Sequence, residues 1–293
     1  MAKADLKAAL ASGTFVAAPG IHDMIAAVVC NSIGFDFVYA SGYWMTASAY
    51  GMPDAGIATY TQMVDRVRTL CSKVDASVIA DADTGYGGLL NVRHTVRGYE
   101  EAGVAAIQIE DQEFPKKCGH TPFKRVVPTL DMVEKIKVAC EARRNPDTLI
   151  IARTDARQVE GFEGAVKRMQ AYSEAGADIL FLEALQSDEE MREGCRRLNK
   201  PTMANMADGG LTPIKSAREL QEIGYSMAIF PSITGLAAAQ AAANALMVLK
   251  NEGTSNSPNL PLFPFKDFNQ LIGFPEVWEF ERRWARDELR AAE

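Results

Sequence analysis

Eight short apolar runs, rich in β-branched residues, recur along this chain at the spacing of one strand plus one helix, and most stop on a polar or charged residue. They cover 14–20, 35–42, 77–85, 105–111, 148–156, 177–185, 202–206 and 226–231. Runs that are apolar at nearly every position belong to strands covered on both faces, and strands that alternate with helices pair in parallel. Amphipathic stretches such as Glu163 to Ala175 and Ser216 to Glu222 fill the intervals. Eight such units predict an α/β fold, a closed (β/α)8 TIM-type barrel, and 293 residues suit one barrel with terminal additions. An open doubly wound sheet is the alternative, but its Gly-x-Gly-x-x-Gly fingerprint after the first strand is missing.

The barrel is expected over 1–250. A cluster of Pro, Ser and Asn from Asn251 to Phe265 then reads as a linker. Beyond it the spacing predicts a helix with Val277, Phe280 and Trp284 on one face, an arm that packs on its own or a neighbouring subunit. The first residues carry charges of both signs and read as a short capping helix, not a secretory leader. No apolar stretch is long enough to span a bilayer, so no membrane partner is expected and the location is read as cytoplasmic. A net charge of −7 repels polyanions, which argues against nucleic-acid binding. Five scattered cysteines form no disulfide framework, and no Cys-x-x-Cys pair or His spacing suits zinc.

Chemistry in such a barrel sits at the carboxyl ends of the strands, so the residues that close each run are read together. They are Ser41 and Gly42, Asp81 and Asp83, Glu110 and Asp111, Arg153 and Asp155, Glu183, and Asn205. Singly, each acid has the duller role of a helix cap or an ion-pair partner. Together, so many acids at one rim repel one another unless a cation sits among them. Carboxylates with little histidine suit Mg2+ or Mn2+, which also take oxygen ligands from a substrate. Arg153 is then available to grip a carboxylate with its planar fork.

The segment Pro115 to Arg125 packs Lys116, Lys117, Cys118, Gly119 and His120 together, with Lys124 and Arg125 just beyond. Neighbouring cations favour the thiolate of Cys118, and the glycine lets the backbone approach a ligand. A solvated basic loop is the plainer reading.

YASG, DADTGYG, IEDQ, KKCGH, ARTDA, EAGAD, FLEA and ANM, in that order, resemble the isocitrate lyase and phosphoenolpyruvate mutase superfamily, most closely its short lyases acting on 2-methylisocitrate and 2,3-dimethylmalate. The likeness runs from about Phe15 to Pro231, nearly the whole barrel. It implies that Asp83 binds Mg2+, with Asp81 beside it and Glu110 holding metal waters. It implies that Ser41 and Gly42 bind the 2-oxo acid carboxylate, and that Lys116, Cys118, Gly119 and His120 belong to a mobile loop. Arg153, Glu183 and Asn205 would line the rest of the substrate; Tyr43, Asp54 and Ser232 complete the expected binding set.

The expected reaction is cleavage of a carbon–carbon bond in a 2-hydroxy di- or tricarboxylate to a 2-oxo acid and a saturated carboxylate. Tyr39 is the candidate base by resemblance, Cys118 the general acid, and Arg153 and His120 stabilise the departing carbanion. The loop from Gln112 to Val127 is expected to close as a lid. Tyr43, Trp44 and Met45 are bulky where methylisocitrate lyases tend to be small, which favours a smaller or more apolar substrate of the 2,3-dimethylmalate type. Hydrolysis of oxaloacetate is the competing chemistry, and a non-catalytic carboxylate-binding barrel the alternative from another class. Resemblance also implies a homotetramer that exchanges its C-terminal helices.

Overall fold

Residues 3–121 and 123–284 are described in a computed structural model of the chain. It opens with α1 (Leu6–Ala11), β1 (Val16–Ile21), α2 (Met24–Ile33), β2 (Phe37–Ala40), α3 (Gly42–Tyr50) and α4 (Tyr60–Lys73). β3 (Ser77–Asp81), α5 (Leu89–Ala102), β4 (Ala106–Glu110), α6 (Thr129–Ala142), β5 (Leu149–Thr154), α7 (Arg157–Glu174), β6 (Ile179–Leu182) and α8 (Asp188–Arg197) follow in alternation. β7 (Met203–Asn205), α9 (Ala217–Ile223), β8 (Met227–Phe230), α10 (Ile233–Glu252), α11 (Phe265–Leu271) and α12 (Phe274–Trp284) complete the order.

All eight runs form strands, and every strand pair is parallel. The order is β6-β5-β4-β3-β2-β1-β8-β7. One bridge, Leu180 to Thr202, joins the two outer strands, so the sheet is a nearly closed barrel. That bridge, between the two ends of the order, argues against the open sheet.

Side-chain parity divides the apolar residues into two shells. Val16, Phe37, Ile79, Ile151, Phe181 and Met227 point inward and fill the barrel. Their chain neighbours, such as Val38, Ala80, Ile107 and Leu180, point outward and pack under the helices. This is the period of two expected of strands, with both faces dry. α1 acts as the expected cap: Leu6, 2% exposed, packs with the interior residues, and Asp5 accepts the Ala8 N–H at the helix start.

The C-terminal region departs from expectation. α10 runs to Glu252, so the boundary placed at residue 250 falls in its last turn and the linker is 253–264. α10 buries only Gly235, and its 20 residues are long and apolar enough to cross a bilayer, contrary to the reading that no stretch is. α11 touches α2, while Val277, Phe280 and Trp284 of α12 are exposed. Residues 285–293 of the expected terminal helix lie outside the described residues.

Candidate active site

The inward parity that fills the barrel with apolar side chains continues past the strand ends, and there it turns polar. Tyr39 leads to Ser41, Ile79 to Asp81 and Asp83, and Ile151 to Arg153 and Asp155; Phe181 leads to Glu183. A cavity of about 350 Å³ opens at this rim, lined by Ser41, Asp54, Glu110, Cys118, Arg153 and Asn205 among others. Asp111, by contrast, has the outward parity. Its carboxylate accepts from the Thr154 hydroxyl at 2.6 Å, the Asp155 N–H at 2.9 Å and the Tyr172 hydroxyl at 2.9 Å, with Arg168 at 3.3 Å. It therefore drops out of the cluster of rim acids expected from sequence.

On one wall, Asp83 sits in the left-handed region at φ 49°, and its N–H donates to Asp81 Oδ1 at 3.0 Å. Gln108 donates to the same oxygen at 3.3 Å, so Asp81 shapes the turn that presents Asp83. Gly42 starts α3 directly against the pair: a Cβ there would lie 2.9 Å from Asp81 Oδ2 and 3.2 Å from Asp83 Oδ1. Ser41, the N-cap of α3, spends no side-chain hydrogen bond on capping. Its hydroxyl and the first N–H groups of a nine-residue helix form a ready carboxylate seat.

Burial raises the Asp83 pKa to about 7, helped by Asp81 and Asp54 and opposed by Lys116. Burial likewise pushes Glu110 well up against the pull of Arg153. Glu110 Oε1, Thr84 Oγ1 and Asn205 Oδ1 are buried without a hydrogen-bond partner. Asp83 Oδ1 is also without one, although Lys116 Nζ stands 2.6 Å away in ionic contact. Buried carboxylates with idle lone pairs fit a hard cation. Among the described residues no three acids, cysteines or histidines converge closely enough to chelate an ion unaided. Asp83 and Glu110 are the carboxylates available to Mg2+ or Mn2+, ions that also keep waters and substrate oxygens in their shells.

Of the loop expected to act as a lid, the described residues Lys116 to Thr121 line the cavity. Gln112 accepts the Lys117 N–H at 3.0 Å and donates to its carbonyl at 2.7 Å. Lys116 bridges Asp54 at 2.5 Å and Asp83 at 2.6 Å. Burial opposes its charge, but the two acids outweigh it and keep the ammonium protonated. His120 Nδ1 lies 3.1 Å from the Leu211 N–H, and its Nε2 lies 3.4 Å from Glu183. Asn205 Nδ2 reaches His120 at 3.2 Å and Glu183 at 2.9 Å. Arg153 donates to both oxygens of Asp155, at 2.9 and 3.0 Å, and lies 3.5 Å from Glu110 and from Glu183.

Several expectations change here. Cys118 is not activated to thiolate: burial pushes its pKa up, more than the His120 N–H and Arg153 lower it. The cations counted on in sequence are engaged elsewhere, Lys116 with two acids and Lys124 with Asp155. Tyr39 does not present as a base. Its hydroxyl donates to Gln108 Oε1 at 3.0 Å, and burial with Asp81 nearby raises its pKa well above the ordinary value. Tyr43 and Trp44 line the cavity, but Met45 is 4% exposed and packs in the outer apolar shell. Ser232 lines it as well, donating to Asp208 Oδ2 at 2.7 Å. Sequence reasoning missed Gln108, Asp208 and the burial of Lys124; the inward parity of Gln108, two before Glu110, was the available signal.

The phosphoenolpyruvate phosphomutase family profile matches residues 6–249. The 2,3-dimethylmalate lyase of Eubacterium barkeri is 43% identical over 96% of this chain and 98% of its own length. A 2-methylisocitrate lyase of Aeropyrum pernix is 44% identical over 95% of this chain and 88% of its own. A crystal structure of 2,3-dimethylmalate lyase superposes with a TM-score of 0.90 at 36% identity, covering 97% of this chain and 96% of that one. Oxaloacetate acetylhydrolase bound to 3,3-difluorooxalacetate gives 0.90 at 30% identity, covering 95% of each. Phosphonopyruvate hydrolase in complex with oxalate and Mg2+ gives 0.86 at 28%, covering 96% and 98%.

Proposed function

The chain belongs to the phosphoenolpyruvate mutase and isocitrate lyase superfamily, and we propose that within it the protein is a Mg2+- or Mn2+-dependent carbon–carbon lyase. Its substrate is a 2-hydroxy dicarboxylate of the 2,3-dimethylmalate type, or 2-methylisocitrate. The products are pyruvate, or a related 2-oxo acid, and a saturated carboxylate. One observation carries the reading: a protonated thiol, Cys118, is held by a closed flap over a cavity walled by partly unsatisfied carboxylates.

Asp83, with Asp81 and Glu110, would hold the divalent cation, which when bound would supply Lewis-acid chemistry to the substrate's oxygens. Ser41 and the start of α3 seat the carboxylate beside the hydroxyl. Glu110, its Oε1 without a partner and its basicity raised by burial, offers the acceptor for the hydroxyl proton that Tyr39 does not. As the C2–C3 bond breaks, its electron pair moves onto C3 and the attached carboxylate. Arg153, already fixed by Asp155, and His120 and Asn205, fixed by Glu183, face that charge with little reorganisation. Cys118 delivers its proton to C3 and completes the saturated acid.

Tyr43, Trp44 and Leu236 make the remaining wall apolar, and Asp208 at the rim repels a third carboxylate. Both features favour 2,3-dimethylmalate over methylisocitrate. Likeness to oxaloacetate acetylhydrolase keeps oxaloacetate cleavage to oxalate and acetate as the second reading. Incubating the protein and Mg2+ separately with 2,3-dimethylmalate, 2-methylisocitrate and oxaloacetate decides among them. Pyruvate from the first two is expected; oxalate from the third alone overturns the lyase reading.

We further propose a homotetramer in which copies exchange C-terminal helices. An apolar groove between α2 and α10, lined by Ile25, Val29, Ile33, Phe35 and Ala237, stands open, and α12 exposes a matching aromatic face. The α12 of a second copy is the occupant. Sedimentation of an intact chain as a monomer contradicts this assembly.

A further inference from the structure

Lys124 lies outside the Lys-Lys-Cys-Gly-His run, between two flap residues that face water. Phe123 is 87% exposed and the Arg125 side chain 74%, yet the Lys124 side chain between them is 1% exposed. A lysine ammonium is buried only at high cost unless it is paired and hydrogen-bonded. Here it donates to the carbonyl of Gly119 and, at 3.0 Å, to Asp155 Oδ1. Asp155, itself fully buried, is the carboxylate that already holds Arg153 by both oxygens. Gly119 touches that same guanidinium: a Cβ on it would fall 2.2 Å from Arg153 Nη2. The Gly119 peptide is thus gripped from two sides, and it is the peptide that sets Cys118 before it and His120 after it.

We propose that Lys124 is a positioning residue, the latch that fixes the closed flap so that Cys118 and Arg153 take up their working geometry together. Its catalytic meaning rests on the lyase reading; its mechanical meaning does not. When the flap opens, Lys124 leaves and Asp155 keeps a bidentate partner in Arg153, so this carboxylate is not left unpaired. Closing adds a second cation to a carboxylate already oriented to receive it. The latch is therefore reversible, as a lid that must release product requires.

Lys124→Met tests this, because it removes the ammonium while leaving the Arg153–Asp155 pair intact. Flap closure is read by digestion with a glutamate-specific endoprotease, which can cut after Glu113 in the flap, with and without Mg2+ plus oxalate; the substitution neither adds nor removes one of its sites. Wild-type protein should be protected by the ligands and Lys124→Met should lose that protection. In the lyase assay kcat should fall roughly 100-fold, the scale of a misplaced reacting group, while KM moves less than about threefold. A kcat near wild type, or a lowered kcat with protection intact, overturns the proposal. Should Lys124→Met fail to fold, Lys124→Arg decides alone: protection retained with kcat within about tenfold of wild type supports the latch, and loss of either overturns it. A wild-type protein that shows oxalate protection but cleaves no hydroxy acid overturns the lyase reading and leaves the latch to the digestion result.

Discussion

Glu110 and Asp111 are adjacent, both carboxylates, both about 1% exposed or less, and they do opposite work. Glu110 points into the barrel mouth with one oxygen idle. Asp111 points behind the sheet, where Thr154, the Asp155 N–H, Tyr172 and Arg168 use up its lone pairs. The inner region keeps unsatisfied capacity at Asp83, Glu110 and Asn205, while the outer one has none at Asp111. Residue type does not separate a site from a strut here; spare hydrogen-bonding capacity does. Holding such capacity dry costs stability, and that cost is the signature of a place built to be completed by a ligand.

The widest break between the two regions should come from Cys118. Cys118→Ser retains the flap but replaces the proton donor with a far weaker acid, so cleavage should fall on the order of 1,000-fold. Binding of Mg2+ plus oxalate, followed by calorimetry, should stay within a few-fold. Turnover like wild type removes Cys118 from the mechanism.

Asparagine substitutions on either side of the sheet sharpen the contrast. The raised pKa of Asp83, about 7 in the fold, means that the folded state holds its proton more tightly than the unfolded chain. Its contribution to stability is therefore present below the ordinary carboxylate range and lost as pH rises toward 7. Asp83→Asn removes that penalty, and melting at pH 8 should rise by about 3 °C while Mg2+-dependent turnover is lost. Burial raises the Asp111 pKa as well, but this carboxylate accepts four hydrogen bonds that an amide cannot all keep, so Asp111→Asn should destabilise instead. It breaks a filled network and costs roughly 3 kcal/mol in denaturant unfolding, with kcat changed little in the protein that remains folded. If both variants destabilise alike, the distinction between the regions fails.

Asp155 belongs to both regions, since it orients Arg153 inward and its N–H binds Asp111. Burial would raise its pKa, but Arg153 and Lys124 overcome that and bring it down to about 2. A depressed carboxylate stabilises the fold above the unfolded pKa and loses that contribution as pH falls through the folded one. Between about pH 4 and pH 2 the wild type should lose on the order of 2 kcal/mol from this group. Asp155→Asn should flatten that limb of the stability curve, measured by urea unfolding at each pH; an unchanged limb assigns the acid sensitivity elsewhere.

Much of this was legible in the chain because strands covered on both faces write themselves as unbroken apolar runs. All eight strands, and the flap with its Lys, Cys, Gly and His, stand where the runs and spacings put them. Parity was the information left unused: it separates Glu110 from Asp111 and places Gln108 beneath Tyr39. What sequence could not show was how charges pair through space. Lys116 reaches back to Asp54, and Lys124 reaches to Asp155, 31 positions along. With those cations engaged, burial governs Cys118 and raises its pKa, toward the thiol that the acid role asks for and against the thiolate that neighbouring cations alone favour. α10 was misjudged for a related reason: its apolar surface is bare in one copy, and a sequence does not say what will cover it.

The smallest effect should come from the apolar wall, which has neither spare hydrogen bonds nor filled ones. Trp44 leans on α10 where Gly235 leaves room; a Cβ at that glycine would sit 2.2 Å from the indole. Tyr43 stacks beside it, ring centres 5.1 Å apart, and is 40% exposed at the mouth. Of the two, Trp44 is braced and so presents a fixed surface, while Tyr43 can swing outward. Trp44→Ala should therefore widen the pocket and raise the kcat/KM ratio of 2-methylisocitrate to 2,3-dimethylmalate by about tenfold, the scale of a reshaped apolar pocket. Tyr43→Ala should move it less. Equal shifts from both would mean that bulk alone excludes the larger acid. No shift from either would move the discrimination to Asp208, whose charge repels a third carboxylate however wide the wall stands.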